Sequence, residues 1–161
     1  MRFNRFLPFP IAASAILGSV VPEAAGHYIW DVTQWQAGLS HGNPADPTTS
    51  WYAFTVSGPS YESPESGYSI PAFGARCTGS GAGFPLSSEY SECAMDAETS
   101  EDGSSVSTRI VPGADNSQAH IAISYVFSTT DGIRNLTALA VTDWARLRPP
   151  YNFTLSPSEA V

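Results

Sequence analysis

Few residues in this sequence have the types and spacings that chemistry requires. The three histidines, His27, His41 and His120, are not spaced as a helical or finger-type ligand pair. His27 has one specific use. If the chain is cleaved after Gly26, its terminal amine and imidazole could chelate copper beside a second histidine, as in oxidative polysaccharide-cleaving enzymes. The plainer reading is a surface histidine near a fraying terminus. The nucleophile-elbow pattern G-x-S-x-G does not occur. Gly79-Ser-Gly-Ala-Gly83 resembles a phosphate loop but lacks its lysine and its strand-to-helix context, so it reads as slack between two cysteines. The acidic stretch 96–105 lacks the alternating carboxylates and terminal Glu of a calcium loop and reads as a solvated turn. Paired carboxylates for glycoside hydrolysis can be distant in sequence, and no spacing marks a pair here. No catalytic, cofactor-binding or metal-ligating residue is assigned, and the expectation is a non-enzymatic protein without a cofactor.

Charge excludes whole classes of partner. The formal net charge is −8, and all seven cations are arginine. A nucleic-acid binder clusters cations to displace counterions from phosphates, and an anionic membrane surface attracts the same clusters. Neither partner suits this chain.

The first residues read as a targeting segment. Arg2 and Arg5 precede an apolar run that closes on Ala24, Ala25 and Gly26. Charge, then a short apolar stretch, then small residues is the layout of a secretory signal peptide, and the run is too short for a spanning helix. The expected division is a signal peptide over 1–26 and a single secreted domain over 27–161. Losing 1–26 removes two arginines and one glutamate and takes the formal charge to −9.

In an oxidising compartment Cys77 and Cys93, the only cysteines, are expected to form one disulfide. Two thiolates with no nearby histidine make a poor zinc set. Asn135-Leu-Thr137 and Asn152-Phe-Thr154 are N-glycosylation sequons, so Asn135 and Asn152 are the candidate glycan acceptors.

The elements that must hold these residues are short strands. Alternation runs through His27 to Trp35, Trp51 to Val56, Tyr68 to Cys77, Val106 to Val111, His120 to Ser128 and Tyr151 to Leu155, with turn residues between. Glu89 to Met95 is a further short candidate. Asp102-Gly103 and Asp131-Gly132 are turn dipeptides. Residues 136–147 fit either helical spacing or alternation, and the neighbouring short strands favour strand. The fold class is all-β, a compact antiparallel β-sandwich or β-barrel with one disulfide. Trp30, Tyr52, Phe54 and Tyr125 are expected in its core, because aromatic residues have high strand preference and large burial. Trp35, Trp51 and Trp144, if exposed together, would instead form a ligand platform.

Three features together resemble one family. The predicted mature chain opens Tyr28-x-Trp30-x-Val32-Thr33-x-Trp35, later carries Cys77 and Tyr90-x-x-Cys93, and ends on Tyr151-x-Phe153-Thr154-Leu155. This order is similar to the Alternaria major-allergen-like family of small secreted fungal proteins. The resemblance implies a compact β-barrel or sandwich with a Cys77–Cys93 bridge, secretion, and a role as allergen, effector or elicitor. It also implies association as dimers and binding of small phenolic ligands in some members. Members often have a second cysteine pair and sometimes an extra cysteine. This chain has neither, so the expected state is a monomer or a non-covalent dimer, and no ligand residue is carried over.

The leading expectation is therefore extracellular recognition of a protein or small ligand. A binding module for a phenolic compound or glycan is the alternative. A copper- or carboxylate-dependent polysaccharide-cleaving enzyme is the third reading, and an extracellular or wall-associated structural protein the blandest.

Overall fold

The computed structural model describes residues 28–40, 43, 45–62, 67–114, 116–144 and 151–160. The expected signal peptide, His27 and His41 lie outside the described residues. The described chain is all-β.

One five-stranded sheet contains β1 (Trp30–Ser40), β2 (Thr49–Gly58), β5 (Phe73–Ala82), β7 (Ala94–Met95) and β11 (Tyr151–Leu155), in the order β11-β1-β2-β5-β7. The other, also five-stranded, contains β6 (Ser91–Glu92), β8 (Ser105–Ile110), β9 (Gln118–Thr129), β10 (Gly132–Asp143) and β12 (Ser158–Glu159), in the order β12-β10-β9-β8-β6. A small hairpin, β3 (Tyr61–Glu62) with β4 (Ser69–Ile70), stands apart. All the pairings are antiparallel.

The two sheets face each other as a sandwich, and the chain itself stitches both of its edges. Ser91–Glu92 pairs with β8 in the second sheet, and two residues later Ala94–Met95 pairs with β5 in the first. At the opposite edge Tyr151–Leu155 pairs with β1 in the first sheet, and Ser158–Glu159 then pairs with β10 in the second. These two short segments link the sheets at both sides of the sandwich and cover part of the edges that would otherwise template pairing with another chain.

The interior follows the alternation of the strands. Tyr52, Phe54 and Val56 point inward from β2, and Phe73, Ala75 and Cys77 from β5. Ile121, Ile123, Tyr125 and Phe127 point inward from β9. Trp30, Tyr52, Phe54 and Tyr125 are core residues, as expected. Phe73 stacks on Tyr125 at 4.1 Å between centroids, and Trp30 meets Phe73 edge-on at 5.4 Å. Residues 132–143 form one strand, with Leu136, Ala138 and Ala140 inward and Leu139 and Val141 outward.

Two local readings change. In β1 the buried set passes from the even positions Trp30 and Val32 to the odd positions Trp35 and Ala37. The register shifts between Thr33 and Gln36 against β2, and Gln34 has φ 55°. An extra residue in a bulge moves every later side chain to the other face. The glycine-rich run read as slack is instead strand: Gly79 pairs with Tyr52, Gly81 with Ser50 and Ala82 with Thr49. Its glycines make room for neighbours. A Cβ at Gly79 would collide with the Tyr52 ring, and one at Gly81 would lie 2.7 Å from Ile110 Cδ1.

Cys77 and Cys93 form the expected disulfide. Cys77 lies on β5, and Cys93 sits at the corner between β6 and β7, so the bridge fastens the point where the chain leaves one sheet for the other.

Candidate functional site

The outer face of the first sheet carries polar groups in register beside two concavities. Pairing places its outward residues in rows across β1, β2 and β5. Gly38, Trp51 and Ser80 form one row, and Gln36, Ala53 and Thr78 the next. Thr33, Thr55 and Arg76 form the third, with Gln34 bulged beside them. Trp51 is 46% exposed, and its indole lies over Gly38, where a Cβ would stand 2.5 Å from Nε1. The missing side chain at Gly38 leaves the indole the space it occupies.

Two concavities open on this face. A trough of about 300 Å³ is lined by Gln34, Gln36, Ala53, Thr55, Arg76 and Thr78. Ala53 makes its floor low, and the amides and hydroxyls stand at its sides. A second hollow of about 420 Å³ adjoins it and shares Thr55 and Arg76. Its far wall is the turn 96–100, held against β5 by the Asp96 N–H donating to the Gly74 carbonyl at 2.8 Å and the Ser100 hydroxyl donating to that carbonyl at 3.2 Å. Part of the acidic stretch is thus a docked wall. The Asp96 carboxylate accepts the Glu98 N–H at 3.1 Å within its own turn.

Arg76 differs from the other described arginines. Arg134 pairs with Glu159 at 2.9 Å and lies over Tyr68, and Arg109 lies over Tyr90 at 4.8 Å. Among the described residues Arg76 has no hydrogen-bond, ion-pair or ring partner, and it is exposed where the two hollows meet. Guanidinium stays charged across the accessible pH range and offers a planar fork of donors.

The candidate platform residues separate. Trp51 is exposed, whereas Trp35 and Trp144 are buried at 1% and 3% exposure. Trp35 stacks on Phe54 at 4.8 Å and belongs to the core. The sequons also separate. Asn152 is exposed on β11 beside the trough, and its Oδ1 accepts the bulged Gln34 N–H at 3.2 Å. Asn135 is half-buried on the outer face of β10, where its Oδ1 accepts the Ser124 hydroxyl at 2.8 Å. His120 is half-buried on β9. Among the described residues no three His, Cys, Asp or Glu side chains gather.

Sequence reasoning named Trp51 and missed Arg76, Thr55, Thr78 and Gln36. The signal for Arg76 was present. It stands between Ala75 and Cys77 in a strand whose alternate residues turn inward, so a charge there must face out.

Compared with models of protein families, with curated proteins and with solved structures, the chain matches none.

Proposed function

We propose that this chain is a non-enzymatic secreted protein, effector-, elicitor- or allergen-like, that acts by extracellular recognition. The outer face of the first sheet is its recognition surface, and an oligosaccharide is the ligand class that this surface fits. The observation that carries the reading is the polar trough beside Arg76, with the half-exposed Trp51 one row beyond it on the same face of β2. A pyranose presents apolar ring faces and equatorial hydroxyls. An indole face takes the first, and amides and hydroxyls in register take the second. These side chains hold and orient. An amide, hydroxyls and a permanently charged guanidinium do not exchange protons near neutrality, as general acid–base chemistry requires. The disulfide-fastened sandwich supports the reading, because a rigid scaffold lowers the ordering cost of binding. The buried disulfide supports secretion.

The test is a thermal-shift panel of neutral and acidic oligosaccharides and small phenolics on the disulfide-bonded protein. A ligand specific to the folded state at 100 times its dissociation constant adds about 2.7 kcal/mol of stability. The expected result is a dose-dependent rise with one or more oligosaccharides that Trp51→Ala abolishes. A rise with phenolics alone, or one insensitive to Trp51→Ala, overturns the glycan reading.

A further inference from the structure

We infer that the ligand of this face is an acidic oligosaccharide containing a uronate, with its carboxylate on Arg76 and a neighbouring ring laid on Trp51. The inference rests on the reading of this face as a glycan-recognition surface and specifies which glycan it takes.

Arg76 is an exception among the described arginines. The chain has 15 carboxylate residues against seven arginines, a formal net charge of −8. Two of the three described arginines are engaged by a carboxylate or an aromatic ring, and Arg76 is not. Its neighbours across the sheet are neutral. Thr55 faces it on β2, and Thr78 follows it on the same face of β5. The nearest acid lining either hollow is Asp96, and that carboxylate is turned into its own turn. The trough beside Arg76 is lined by no acid, and the row next to it on the Trp51 side, Gly38, Trp51 and Ser80, holds none either. A ligand anion entering from the Trp51 side therefore reaches an unpaired guanidinium without passing a carboxylate.

Geometry selects a carboxylate on a sugar over a lone anion. Thr55 and Trp51 are four residues apart on one strand, roughly 13 Å at the rise of an extended chain. A small anion satisfies one end and leaves Trp51 unused. An oligosaccharide of a few units spans the row, with its middle ring over Ala53 between Gln36 and Thr78. The guanidinium fork matches a planar carboxylate in two parallel hydrogen bonds. Long-range repulsion from the protein's net charge is weak here, because salt screens it beyond about 8 Å at physiological ionic strength.

The experiment is calorimetric titration of the disulfide-bonded chain with trigalacturonate, its full methyl ester and a panel of neutral trisaccharides. Arg76→Gln and Trp51→Ala are measured alongside the parent protein. Both positions are solvent-facing, and unchanged melting temperatures verify that both variants fold. The expected result is that the acid trimer binds about fivefold more tightly than its ester. Arg76→Gln removes that difference, Trp51→Ala weakens both, and raising the salt weakens only the acid trimer. If acid and ester bind alike and Arg76→Gln changes neither, the uronate inference falls while the glycan reading stands. If only neutral trisaccharides bind and Trp51→Ala weakens them, the same holds. If no saccharide binds, both fall together.

Discussion

The Tyr52 hydroxyl meets the Thr108 hydroxyl at 2.8 Å between the sheets, and so joins β2 of the first sheet to β8 of the second. Both residues are almost fully buried, at 1% and 0% exposure. Gly79 stands opposite Tyr52 in the ladder and leaves the ring its space. The Cys93 sulfur lies 3.9 Å from the same Thr108 oxygen, so the disulfide and the inter-sheet hydrogen bond pack together. Thr108→Val keeps the shape and strands the Tyr52 hydroxyl away from water, which costs about 1–3 kcal/mol. Tyr52→Phe with Thr108→Val removes both polar partners and should cost less than the two single changes added. A urea-denaturation cycle over the four proteins measures this. Strict additivity would mean that the pair contributes no coupling.

Alkaline pH should unfold the protein through the tyrosines of this interior. Burial raises Tyr28 from 10.0 to about 12, and raises Tyr52 and Tyr125 in the same direction. The folded form keeps these protons when the unfolded chain has lost them. Stability is therefore complete below pH 10 and falls as pH climbs from 10 towards 12. Phenolate absorbance and circular dichroism followed together should show the exposed tyrosines titrating first. The buried set should follow in step with loss of structure. A single smooth titration near pH 10 with structure intact would contradict this.

The disulfide fastens the corner where β6 passes into β7. Its partners are 16 positions apart, a span for which a crosslink contributes about 3 kcal/mol by restricting the unfolded chain. Cys77→Ala with Cys93→Ala should lower the melting temperature by about 10 °C. Both sulfur-bearing residues are buried, so a mild reductant should leave the native bridge intact and cut it only under partial denaturation. Rapid reduction of the native protein, followed by thiol labelling, would show that the corner opens.

The long strands of the sandwich were legible because their inward faces are unbroken. Ile121 to Phe127 alternates with smaller or polar partners, and Tyr52 to Val56 does the same. Three features were hidden for a shared reason: each depends on what lies across the sheet. The bulge at Gln34 is visible only in the pairing with β2 and β11, where both registers shift by one residue across it. The strand character of Gly79–Ala82 comes from pairing with Thr49–Tyr52 and overrides the low strand preference of glycine. The trough is a row across strands, so its members Gln36, Thr55, Arg76 and Thr78 are scattered along the chain.

The bulge itself can be tested. Gln34 holds φ 55°, a left-handed conformation that costs a non-glycine residue about 1–2 kcal/mol. Glycine adopts it freely but loses more entropy on folding. Gln34→Gly should therefore be neutral or slightly stabilising in thermal denaturation. Gln34→Val should destabilise, because a β-branched side chain is worst suited to that backbone. Equal melting temperatures for the glycine and valine variants would show that the bulge relaxes once Gln34 is replaced.

Gly38 and Trp51 supply the sharpest test of the recognition face, because Gly38 touches no ligand in the proposed arrangement. A methyl group there would stand 2.5 Å from the indole Nε1 and 2.7 Å from Cε2. The backbone is ordinary extended strand and the clash is with a half-exposed side chain, so the fold tolerates the change and the indole must lift or turn. Gly38→Ala should therefore leave the melting temperature within a few degrees of the parent. It should weaken oligosaccharide binding nearly as much as Trp51→Ala does, since stacking needs the ring flat on the sheet. Binding that survives Gly38→Ala unchanged would remove Trp51 from the recognition surface, because the one feature that makes it a platform is the missing side chain beneath it.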